Sequence, residues 1–173
     1  MMIPRILLTG FYCIALVLPA AATHIDDHRR EAGLPSVTHD RLWELAESKD
    51  WQVRQTVARN RRSPRELLYQ LAGDKHPQVR IGVATNLSSD ERTFMLLAKD
   101  KDVQVRSVVA RFEYVPVATL QLLAYDHQAE IRLEVARNLN SNRDILETLS
   151  KDTDPDVSNV AQQALQRLKQ DAP

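Results

Sequence analysis

From about Ser36 to Gln170 the apolar residues of the chain recur in a fixed frame of 26 residues. Val53, Val79, Val105, Ile131 and Val157 form one column, and Leu45, Leu71, Leu97, Leu123 and Leu149 form a second. Val57, Val83, Val109 and Val135 lead into Ala161, and Ala58, Ala84, Ala110 and Ala136 make a column of small residues. A repeat of this length without insertions marks a stack of identical supersecondary units. Within each unit the apolar positions fall on two helical stripes. Leu68, Leu71 and Ala72 follow i, i+3, i+4 spacing, and Val53, Val57 and Ala58 share a second face.

Punctuation between the stripes predicts where the helices start and stop. Ser63 reads as an N-cap, Pro64 as a first helical position and Glu66 as the closing residue of a capping box. Asp154-Pro155 opens the second helix in the same way, and Asp102 is the equivalent cap two units earlier. Asn60, Asn86 and Asn138 close the second helices, where asparagine suits a left-handed C-cap. Helices of this length are marginal alone, so the units must be stabilised by stacking. The pattern predicts an all-α solenoid of about five two-helix units over residues 37–170. It starts with a first helix in register near Ser36 and ends in a polar, Gln-rich helix from Asn159 that caps the last apolar face. Residues 23–36 lie outside the columns and read as a flexible leader.

The phrase Val-Arg-x-x-Val-Ala-x-Asn at Val53–Asn60, followed by Ser-Pro-x-x-Leu-Leu-x-x-Leu-Ala-x-Asp at Ser63–Asp74, resembles the leucine-rich repeat variant, a relative of HEAT-like helical repeats. The resemblance spans residues 37–170. It implies a right-handed solenoid in which one helix of each unit is 3₁₀ or α. Some members of that family carry a four-cysteine iron–sulfur segment ahead of the repeats. Cys13 is the sole cysteine of this chain, so no cluster is carried over and no cofactor is expected.

Composition adds an address and removes chemistries. Arg5 is the only charge in the first 22 residues, Ile6 to Leu18 is mostly apolar, and Ala20-Ala21-Ala22 precedes Thr23. This is the pattern of a secretory signal peptide cleaved at Ala22/Thr23. Gly10 and Pro19 interrupt an apolar run already short for a membrane span. Phe11-Tyr12 before Cys13 argues against lipidation. Cleavage removes the cysteine, so the mature chain has no disulfide and no thiolate chemistry, which fits a bacterial periplasm. Four glycines leave no Gly-rich phosphate loop, and no nucleophile elbow or isolated carboxylate pair stands apart from the repeat. The chain is therefore expected not to be an enzyme.

Four groups of residues remain as candidates. Arg54, Arg80, Arg106 and Arg132 recur one position after the first valine column, at the edge of the core face, and Asp74, Asp100, Asp126 and Asp152 recur at the ends of the first helices. Their matched number suggests a structural ladder within or between units. Two positions on the second helix, expected opposite the core, carry Arg59, Ile81, Arg111, Leu133 and Arg137. They predict a mixed apolar and basic ridge that binds another protein or peptide along the concave surface. Arg59, Arg61, Arg62 and Arg65 form a basic cluster suited to anions, while Asp144, Glu147, Asp152, Asp154 and Asp156 gather acid near the other end. No aromatic set interleaves these arginines, so nucleic acid is not expected. His24 and His28, flanking Asp26-Asp27, offer a possible zinc or copper site in the leader, the basis of an alternative metal- or anion-binding reading. Phe112 and Tyr114 replace the Asn column and the polar turn of the middle unit, as a local plug or an exposed contact. The chain is expected to be monomeric.

Overall fold

The computed structural model describes residues 20–170; the expected signal segment falls almost wholly outside them. Ten helices make five antiparallel pairs: α2 (His39–Ala46) with α3 (Trp51–Arg59), α4 (Arg65–Leu71) with α5 (Pro77–Ala84), α6 (Glu91–Leu97) with α7 (Val103–Arg111), α8 (Val117–Leu123) with α9 (Ala129–Arg137), and α10 (Arg143–Leu149) with α11 (Pro155–Gln170). Second helices stack on second helices, α3 on α5, α5 on α7, α7 on α9 and α9 on α11, and the first helices α4, α6 and α8 follow one another alongside. The architecture is an α-solenoid, and among the described residues both helices of every unit are α rather than 3₁₀. No described helix is long and apolar enough to cross a membrane.

The apolar columns form one continuous core. Leu42, Leu67, Leu68, Leu97, Leu120, Ile131 and the valines at 53, 57, 79, 83, 105, 109, 135 and 157 are fully buried. Each such side chain contributes about 1.5–3 kcal/mol relative to exposure. Because every unit shares its core with the next, no single pair is an independent folding unit.

Residues 23–36 are not a free leader. Helix α1 (Ala20–Ala32) packs on α3 as the second helix of a preceding half unit. Ala32 is fully buried and stands 26 residues before Ala58, so the small-residue column extends one unit further than expected. Arg41 of α2 clasps Glu31 through two hydrogen bonds of 2.8 and 2.9 Å, and this bond to Arg41 holds the Glu31 carboxyl below its ordinary range.

The units are fastened by two lateral ladders. Arg54, Arg80 and Arg106 are buried, not merely edge residues, and Arg132 nearly so. Each guanidinium grips the aspartate twenty residues on, in the next unit: Arg54–Asp74 at 2.6 Å, Arg80–Asp100 at 2.5 Å, Arg106–Asp126 at 2.7 Å and Arg132–Asp152 at 2.6 Å. The free Nη1 donates to the carbonyl six residues back, that of Ser48, Asp74, Asp100 or Asp126. The same aspartates accept the amides of His76, Asp102, Gln128 and Asp154. Every arginine thus ties the loop before its own helix to the corresponding loop of the next unit, and the bidentate geometry sets the spacing. Burial pushes the carboxyls of Asp74 and Asp126 up, but the arginines and backbone amides outweigh it and hold both below the ordinary range. Asp152 is lowered chiefly by its bond to Arg132. In the last described unit Ser158 stands in the arginine column and donates to the carbonyl of Ser150 at 2.8 Å.

The second ladder lies on the opposite rim and corrects two expected caps. Asn60 has φ −70° and ψ 124°, and among the described residues no non-glycine residue has positive φ, so the asparagines are not left-handed caps. Their side-chain amides reach back one unit instead. Asn60 donates to the carbonyls of Ala32 and Leu34, Asn86 to those of Ala58 and Asn60, and Asn138 to those of Ala110 and Phe112. Their oxygens accept the amides of Arg62, Ser88 and Asn140. Ser63 is likewise not the cap of α4, a position held by Pro64 without a side-chain bond. Its hydroxyl donates to the carbonyl of Val57 at 2.6 Å, and Ser89 and Ser141 do the same to Val83 and Val135. The second helices do carry aspartate caps, at Asp50, Asp102 and Asp154.

Candidate functional site

The arginine columns divide into two kinds. Those one position after the core valine are consumed by the aspartate ladder. Those at the last residue of a second helix, Arg59, Arg111 and Arg137, are exposed on the asparagine rim. Arg137 approaches Glu134 at 3.6 Å on its own helix, whereas no salt bridge reaches Arg59 or Arg111 among the described residues. The turns after α5, α7 and α9 each add an apolar residue to the same rim. Leu87 is 49% exposed, Tyr114 61% and Leu139 94%. The repeat carries these positions along one edge, where charge and apolar surface lie side by side.

Ile81 and Leu133 do not join this strip. Both are half-buried and packed against the core, because the second helices before and after each of them close over the position two residues past the core valine. Leu87 and Leu139 take their place as the exposed apolar members. They were passed over because their column also holds Arg61 and Glu113, which hides its character.

Phe112 and Tyr114 separate in role. Phe112 is half-buried against the core, stacked on Phe94 with ring centroids 5.7 Å apart at 27°. Phe94 stands in a column otherwise held by Leu42, Leu68, Leu120 and Leu146. Val115, 1% exposed, replaces the serine of the other turns. Together they fill with apolar volume the place that Asn and Ser fill elsewhere. Tyr114 meets Phe112 edge-on at 5.7 Å and turns outward.

Arg61, Arg62 and Arg65 are exposed near Arg59, but part of their surroundings is already spoken for. The Arg61 carbonyl accepts from Ser88, the Arg62 amide is held by Asn60, and Arg92 lies over the Tyr69 ring at 3.6 Å. Asp90, lowered first by the Thr93 hydroxyl and further by Arg65 and Arg92, offsets part of the positive field. His24 and His28 meet edge-on at 4.3 Å along α1. Among the described residues, no three His, Cys, Asp or Glu side chains gather where a metal ion would fit.

No protein-family model matches the chain, and no curated protein matches it either. Among solved structures the chain is similar to a leucine-rich repeat variant with a novel repetitive protein structural motif, at a TM-score of 0.61 and 25% identity. The match covers 75% of this chain and 52% of that one, so it reaches over about half the length of the solved protein. By repeat phrase and by architecture, the chain is an α-solenoid of helical repeats similar in fold to the leucine-rich repeat variant.

Proposed function

We propose that this protein is a non-catalytic scaffold, exported to the periplasm, that binds another protein or a peptide along its asparagine rim. The supporting observation is the row of exposed Arg59, Arg111 and Arg137, each beside a turn, with Leu87, Tyr114 and Leu139 exposed on that same edge. Arginine and tyrosine around apolar contacts are the residues that concentrate binding energy at interfaces. Arg59 and Arg111, without ion-pair partners, meet an acidic partner at little desolvation cost to the fold. The rigid ladders behind them hold the spacing of the row fixed, so the partner is ordered more than the scaffold is.

The test is co-purification after cross-linking in the intact envelope, comparing the native chain with Arg59→Glu/Arg111→Glu/Arg137→Glu. Loss of a defined partner, with the melting temperature unchanged, is the expected result. Undiminished recovery of that partner removes the rim from consideration. Amino-terminal sequencing of the exported protein checks the address; a first residue other than Thr23 moves the cleavage site.

A further inference from the structure

The array does not close at its C-terminal end. In each earlier unit the chain turns back after the second helix, but α11 runs on to Gln170 as a 16-residue helix. A cleft of about 370 Å³ is left between the overrunning end of α11 and the turn after α9. Its floor is Ala136, Leu146 and Val160, and its walls are Leu139 on one side with Ala164 and Leu168 on the other. Position 164 continues the asparagine column and holds alanine, so the amide that spans the equivalent carbonyls of Ala110 and Phe112 has no counterpart at Ala136 and Asn138. Leu139 is 94% exposed, and among the described residues no further turn lies beside it.

Arg137 and Arg167 stand at the rim of this cleft. We propose that it is a docking site for a partner protein's peptide segment in which a bulky apolar side chain lies next to a carboxylate. The apolar side chain enters between Leu139 and Leu168, the carboxylate meets the two guanidinium groups, and an N–H donor of the segment faces the Ala136 carbonyl, whereas the Asn138 carbonyl already accepts the Ser141 amide at 3.0 Å. The charge argues against a second copy seated symmetrically, because each copy would bring its own Arg137 and Arg167 to the contact. The site shares Arg137 and Leu139 with the rim proposed above, so the two are told apart by Arg167 and Leu168 on one side and by Arg59 and Arg111 on the other.

The experiment selects a random twelve-residue peptide library on the purified protein, then measures the enriched peptides by fluorescence anisotropy. The variants are Arg167→Glu, Leu168→Ser and, as a rim control, Arg59→Glu/Arg111→Glu. The expected consensus pairs Leu, Ile or Phe with Asp or Glu. Binding weakens by roughly ten-fold with Arg167→Glu, the loss of one charge-assisted contact, weakens with Leu168→Ser, and is unchanged in the rim control. Circular dichroism melting verifies that each variant is folded, which the exposure of Arg167 and Leu168 favours. A consensus without acid, peptides indifferent to both cleft variants, or no enrichment at all overturns the proposal. Sedimentation showing self-association lost on Leu168→Ser would overturn it in favour of a second copy.

Discussion

The joint between α3 and α5 and the joint between α5 and α7 solve one packing problem in two ways. At the first, Gly82 lets the helices approach so closely that a Cβ there would lie 3.0 Å from the Ala58 Cβ and 3.3 Å from the Gln55 carbonyl oxygen. Asn86 then spans two carbonyls of the earlier unit at 2.7 and 2.9 Å, and Ser89 ties its turn to Val83. At the second, Val108 stands at the position of Gly82, which carries a side chain in every other unit, while Phe112 occupies the asparagine column and Val115 the serine column. α5 and α7 pack less closely than α3 and α5, and the aromatic pair Phe94–Phe112 fills the difference. The substitutions at 94, 112 and 115 are therefore one coupled exchange rather than three independent drifts. Only the arginine ladder crosses both joints unchanged.

That difference predicts unequal consequences for equal mutations. Removing one partner of a buried ion pair costs about 3–5 kcal/mol, because the other charge is stranded. Arg80→Ala, at the wide joint with no asparagine to share the load, is expected at the upper end, and Arg54→Ala, at the narrow joint, at the lower. Urea denaturation of the two variants ranks them, and the reverse order would undo the comparison. Asn86→Ala follows, at about 1–3 kcal/mol for the Ala58 carbonyl left without its side-chain donor, and the same measurement applies.

Acid should act mainly through the ladder. The folded pKa values of Asp74, Asp126 and Asp152 are depressed, so their contribution is fully present above the unfolded value near about 4 and is lost as pH falls through the folded value. Melting temperature is therefore expected to hold above about pH 5 and to drop below about pH 4. Asp126→Asn should flatten that drop. The smallest effect has the opposite sign. The hydroxyl of Thr119 is buried without a hydrogen-bond partner, because Pro116 replaces the Asp90 that accepts from Thr93 one unit earlier. Thr119→Val removes an unsatisfied group at constant shape and is expected to stabilise by about 1 kcal/mol, read as a higher urea midpoint.

The helical repeat was legible because stacking writes the same core column into every unit. The starts of the second helices were legible too, from Pro155 and the aspartate caps at Asp102 and Asp154. The asparagine ladder was not. A helix-terminal Asn is compatible with a left-handed cap and with a bond to the previous unit, and only the geometry distinguishes them. The N-terminal half unit was missed because Asp27 and Glu31 stand where later units have valines; Ala32 alone kept the frame. Helical projection set Ile81 and Leu133 opposite the core because it treats one helix at a time, whereas in a solenoid the neighbouring second helices flank it on both sides.

The coupled exchange at the middle joint is tested most directly by restoring the repeat phrase there. Phe112→Asn, Phe94→Leu and Val115→Ser are made singly and together, and unfolding free energies are taken from urea denaturation. The account predicts that Phe112→Asn alone costs about 2 kcal/mol, by opening a cavity beside Phe94. It also predicts that the triple variant is more stable than the sum of its singles by at least about 1 kcal/mol, the size of coupling seen between residues in contact. Strictly additive losses would contradict it, because the aromatic plug and the polar turn would then be unrelated features of the same unit.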